Sequence, residues 1–186
     1  MSNKKYFGWT IVLFIVFVGI LFYSYIYKLG YLKIATFIFL VLIPIILLLN
    51  LSNRKNTPVS TCFWLALLFM FLFALIDKIL RIHIFLSQYV SATEITSDPV
   101  LVVSSLYVIA FILVVSLFYR LLIRDYKQDS GWIKLFIFAL LMKVIGVVID
   151  HITHDTTEDY FELFSVYFFS AAFLLKYLKM NKIKRS

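Results

Sequence analysis

Six apolar stretches, each long enough to cross a bilayer as a helix, take up most of the chain: approximately 7–27, 31–49, 61–85, 99–123, 132–149 and 159–178. A hydrocarbon core about 30 Å thick is crossed by roughly 20 helical residues. Lipid offers no hydrogen bonds to exposed backbone, so spanning segments are helices or closed barrels, and these runs lack the alternating polarity of barrel strands. The expected fold is therefore an all-α, polytopic membrane bundle of about six transmembrane helices. It forms one integral membrane domain over 1–186, with no linker and no internal repeat.

Composition excludes the soluble alternative. The chain is 63% hydrophobic and only 15% charged, with a mean hydropathy of +0.97, whereas a soluble domain carries about a quarter charged residues. The net charge of +8 does not point to nucleic acid, because the cations cluster at the ends of apolar runs, as membrane proteins place them. The implied partner is the bilayer. Protein partners and oligomeric state are not legible. A lone Cys62 supports neither a disulfide framework nor a thiolate metal site. The first run follows Lys4 and Lys5 but ends in Phe22-Tyr23-Ser24-Tyr25 without a small-x-small cleavage site, so it reads as a retained helix.

Punctuation supports the segmentation. Asn53 to Pro58 breaks the chain after the second run, Ser97-Asp98-Pro99 opens the fourth, and Asp129-Ser130-Gly131 separates fourth from fifth. Thr156 and Asp159 have capping-box spacing at the start of the sixth. Pro44 lies inside the second run and is expected to kink it.

Counting Lys and Arg on alternate sides gives an orientation. Lys4, Lys5, Arg54, Lys55, Arg120, Arg124, Lys127, Lys134, Lys176, Lys179, Lys182, Lys184 and Arg185 fall on one side, and only Lys28 and Lys33 on the other. Both termini are thus expected in the cytoplasm. Trp9, Trp64 and Trp132 all fall at cytoplasmic helix ends, where an aromatic belt would lie. The Phe-, Ile- and Lys-rich composition fits a bacterial inner membrane.

The outer loops, 86–98 and 150–158, contain no Lys or Arg and gather carboxylates and histidines. Charges inside apolar runs are Asp77, Lys78 and Arg81 on the third helix, Lys143 on the fifth and Glu162 on the sixth. Such charges are costly and commonly face the bundle or a wet cavity. Asp77 and Arg81 are four apart and positioned to pair. Lys143, Asp150 and His154 share one helical stripe, and Glu158, Glu162 and Ser165 another. The candidate polar site comprises Asp77, Arg81, His83, Lys143, Asp150, His151, His154, Glu158 and Glu162 at the junction of the third, fifth and sixth helices. The small residues Ser104, Ser105, Ala110, Ser116, Ser170, Ala171 and Ala172 mark expected close helix contacts.

No catalytic motif stands out, which leans away from an enzyme and toward an accessory or structural membrane protein. One alternative is an ion- or proton-coupled transporter using Asp77, Lys143 and Glu162. The other is a metal-dependent membrane hydrolase with a divalent ion such as zinc on His151, His154 and Glu158, with His83 nearby. No organic cofactor is implied. Histidines and aspartates near one membrane face resemble the superfamily of membrane hydrolases that includes alkaline ceramidases. The chain departs from that pattern in having six expected helices where seven are usual, and in the three-residue spacing of His151 and His154. No family is assigned.

Overall fold

The computed structural model describes residues 30–52, 56–92, 99–153 and 157–182, without the side chains of 100, 101, 150, 151, 153 and 182. The first expected helix, 7–27, Trp9 and His154 lie outside the described residues, as do the side chains of Asp150 and His151.

Every described element is helical: α1 (Tyr31–Leu51), α2 (Pro58–Leu80), α3 (Ile82–Ser91), α4 (Pro99–Leu117), α5 (Tyr119–Gln128), α6 (Ser130–Thr153) and α7 (Thr157–Lys182). By length and composition α1, α2, α6 and α7 can cross a membrane, and α4 with α5 adds a fifth if that bent pair counts as one span.

The starts follow local chemistry. The Thr57 hydroxyl accepts from the Ser60 amide at 3.2 Å and Pro58 occupies the first helical position, where its missing N–H costs nothing. Pro99 likewise occupies the first position of α4. The proline within α1 does not end the helix, which runs through Pro44 to Leu51.

Two expected single helices are broken. The third run, read as 61–85, ends at Leu80, and Arg81 adopts a left-handed conformation with φ 55° before α3 begins. The fourth, read as 99–123, stops at Leu117, and α5 leaves at 67° to the preceding segment. From Tyr119 onward the sequence turns amphipathic, so continuing straight would carry Arg120, Arg124 and Asp125 into an apolar layer.

Helix α7 is central, packing most extensively on α6 and then on α1. Contact pairs set the directions. Lys33 lies near Asp159 at 3.7 Å, and Asn50 Nδ2 donates to the Phe173 carbonyl at 3.1 Å, so α1 and α7 run parallel. Helix α6 opposes them: Lys176 Nζ lies 5.2 Å from the Trp132 ring centre, and a Cβ on Gly146 would stand only 3.1 Å from that of Phe161. Gly146 therefore marks close approach of α6 to α7, and α6 continues through it unbroken.

The interior is aromatic. Phe71, Phe111, Phe136, Phe169 and Phe173 interlock through ring contacts of 5.2 to 6.3 Å. Trp64 and Trp132 are fully buried, with ring centres 5.8 Å apart, so they are core residues and not members of an interfacial belt. Helix α7 places Ser165, Ser170 and Ala172 in tight packing, whereas Ala110 and Ser116 of α4 are exposed. Lys176 is one of the cations counted on the cytoplasmic side, with no partner assigned to it from the sequence. It is half of a specific pair, 2.5 Å from buried Asp125. Large apolar side chains cover the outside, among them Leu117 at 78% and Phe85 at 70% exposure, a surface suited to lipid.

Candidate functional site

At the end of the bundle that holds the start of α7, a cleft of about 530 Å³ opens between α2, α4, α6 and α7. Its polar end is lined by Asp77, Lys78, His83, Lys143, Glu158 and Glu162. Phe69, Phe71, Phe111, Val114 and Phe169 line its apolar flank.

Glu162 organises the polar end. It is the one carboxylate on the second turn of α7, and it faces two cations from different helices. Lys78 Nζ donates to Oε2 at 2.6 Å, and Lys143 Nζ lies 3.7 Å from Oε1. Lys143 thus points inward to an opposite charge instead of snorkelling out along α6. Next along α7, Asp159 lies 3.7 Å from Lys33 of α1. Charges from four helices therefore neutralise one another around the head of α7, as low-dielectric surroundings require.

Asp77 has a different partner from the expected one. The left-handed turn at Arg81 removes that side chain from the α2 stripe, and Arg81 is exposed. The carboxylate reaches past the break instead. Its Oδ1 accepts from the His83 amide at 2.6 Å, and Oδ2 lies 3.0 Å from His83 Nδ1. It thereby serves as an N-terminal cap for α3 and orients the imidazole. The Asp77–Arg81 pairing is replaced by an Asp77–His83 pair. Tyr107 of α4 stands on the same wall, its ring edge-on to Phe73, and its buried hydroxyl has no hydrogen-bond partner among the described residues.

Of the sequence candidates, Asp77, His83, Lys143, Glu158 and Glu162 line this one cleft, while Arg81 does not. Asp150, His151 and His154 lie outside the described residues or have undescribed side chains. Lys78 and Tyr107 were missing from the candidate set. Lys78 was visible as an intramembrane charge, but its stripe is shared with Glu162 only across helices. Among the described residues, no three His, Cys, Asp or Glu side chains gather closely enough to hold a metal ion. His151 and His154 of the metal trio fall outside that comparison.

Two replacements separate the structural tasks of Asp77. Asp77→Ala is expected to cost about 1–2 kcal/mol, the usual value of a lost N-cap. Asp77→Asn keeps an acceptor for the His83 amide and should cost less. Thermal unfolding in detergent reads both. Equal losses would mean that capping is not what the carboxylate does.

Compared with known protein families, curated proteins and solved structures, the chain matches none.

Proposed function

We propose that this protein is a small multi-pass carrier of the bacterial inner membrane, with six transmembrane helices and both termini in the cytoplasm. Its polar-ended cleft binds the solute, and the ion-paired Glu162 couples that binding to a proton or cation. The observation that carries the reading is the convergence of Lys78, Lys143 and Glu162, with the Asp77–His83 pair beside them, on one open cleft.

Three features support it. A cleft of this volume lies in the range of small-molecule sites, about 300–1,000 Å³. Glu162 has two competing cationic partners, so a proton or a bound cation changes which of them it holds. The α2/α3 break at Arg81 lies beside the charged groups, and discontinuous helices with free terminal dipoles are a recurring feature of transporter sites. The inward cations further support the orientation, since Arg120, Arg124, Lys127, Lys134, Lys176 and Lys179 all belong to the opposite end of the bundle. An accessory role would need the charges only for packing and would leave the open volume, and a Tyr107 hydroxyl unpartnered among the described residues, without a purpose. The hydrolase reading gains no support from the described side chains.

Alternating access is the test. Ser104 lines the cleft and is partly exposed, and Cys62 is exposed elsewhere, so a Cys62→Ser, Ser104→Cys chain carries one reporter thiol. In oriented vesicles, a membrane-impermeant thiol reagent should label it from the outer face. Adding Glu162→Gln should shift labelling toward the inner face by several-fold. A thiol labelled from neither face would remove the wet cleft. Labelling from the outer face alone, unchanged by Glu162→Gln, would remove the carrier.

A further inference from the structure

We propose that α5 is an interfacial helix that binds anionic phospholipid headgroups at the end of the bundle opposite the cleft. The inference is independent of the carrier reading.

The placement comes first. Helix α5 leaves α4 at 67°, and a single residue, Asp129, joins it to α6. If α4 crosses the membrane, a helix bent by that angle lies nearer the membrane plane than its normal. It is too polar to cross on its own.

The helix carries three stripes, each running along its axis at helical spacing. Leu121, Leu122 and Asp125 face the bundle, with Leu121 and Asp125 buried. Tyr119, Ile123 and Tyr126 form the second stripe, each about half exposed. Arg120, Arg124 and Lys127 form the third, all exposed. An apolar-aromatic stripe beside a basic one is the pattern of a helix lying at the headgroup boundary, with rings dipping inward and cations held at phosphate depth.

Charge selects the occupant. The acidic groups at this end are already taken: Lys176 pairs with Asp125 at 2.5 Å, and Lys179 pairs with Asp129. Arg124 Nε reaches only the edge of the first pair, 3.7 Å from Asp125 Oδ1. Arg120 lies over the Tyr119 ring at 5.8 Å with Nε 3.0 Å from its hydroxyl, an arrangement that leaves the terminal guanidinium nitrogens for a phosphate. The stripe is therefore a row of cations whose carboxylate neighbours are already spent. A zwitterionic headgroup offers no net charge to it, whereas phosphatidylglycerol does.

The test uses the full chain purified in a neutral detergent. Phosphatidylglycerol added to the micelles should raise the Tm by several degrees. Phosphatidylcholine or inorganic phosphate should raise it by less than a third of that. The variant Arg120→Gln/Arg124→Gln/Lys127→Gln should keep its lipid-free Tm and lose at least half of the phosphatidylglycerol shift. A variant shift equal to that of the parent, or an equal shift with phosphatidylcholine, overturns the proposal. A second measurement covers a variant that does not fold. At about 1 M salt, where screening acts within about 3 Å, the parent's phosphatidylglycerol shift should fall by at least half, and a salt-independent shift would equally overturn it.

Discussion

Replacing Glu162 with leucine is expected to destabilise the bundle by about 3 kcal/mol, the low end of the range for breaking a buried charge pair. The residue answers two cations at once, Lys78 at 2.6 Å and Lys143 at 3.7 Å. Its loss takes the paired carboxylate from both ammonium groups at once. Their partial exposure, 30% for Lys78 and 38% for Lys143, lets water relieve part of the penalty, which is why the low end applies. The geometry also fixes an order. Lys78→Met leaves Glu162 with Lys143 still in reach, so it should cost clearly less than Glu162→Leu. Lys143→Met removes the longer contact and should cost least. Adding Lys78→Met to Glu162→Leu should recover part of the loss, because one orphaned cation disappears. Thermal or chemical unfolding in detergent measures all four. A neutral Glu162→Leu, or equal losses for Glu162→Leu and Lys78→Met, would show that the two lysines are solvated independently and that Glu162 organises nothing.

The convergence behind that prediction was only half visible in the sequence. Helical spacing placed Lys143 on one stripe and Glu162 on another, and the short connection between their helices made confrontation reasonable. On the third run an Asp77–Arg81 pair requires one continuous helix, and Leu80-Arg81-Ile82-His83 contains no Gly or Pro to announce the break. The left-handed turn at Arg81 coincides with what Asp77 gains on its far side, a backbone donor and an imidazole from His83, and neither is readable from periodicity. Lys78 was missed for a related reason, since its partner is 84 residues away on α7.

The other break was more legible than it was read to be. Arg120, Arg124 and Lys127 recur at helical spacing directly after an apolar run, a sign that the chain has left the membrane's interior for its surface. The bounds of α1, α6 and α7 lie close to those expected, because for them length and hydropathy decide and no break intervenes. Tryptophan misled in the opposite direction. An indole near a helix end is as well placed to meet two other helices as to meet headgroups, and Trp64 and Trp132 do the former. Belt and core have the same sequence address, and only packing distinguishes them.

Where packing decides, Phe136→Ala should cost about 2 kcal/mol or more. The ring is buried at 1% exposure and meets Phe169 at 5.4 Å, Phe173 at 5.9 Å, Trp132 at 6.2 Å and Phe111 at 6.3 Å. In water such a change costs about 3–5 kcal/mol, but part of that is the transfer of apolar surface to an aqueous unfolded state. A membrane helix that separates from its neighbours meets lipid tails, so the transfer contribution largely drops out. What remains is the cavity, worth about 24 cal/mol per Å³. For the roughly 100 Å³ between a phenyl ring and a methyl group, that is about 2.4 kcal/mol. Phe85→Ala is the control, since at 70% exposure it opens no cavity and should be nearly neutral. Both are read by thermal unfolding of the purified protein. Equal shifts would mean that the aromatic cluster gains no more from itself than from lipid, and that dispersion packing does not hold α4, α6 and α7 together.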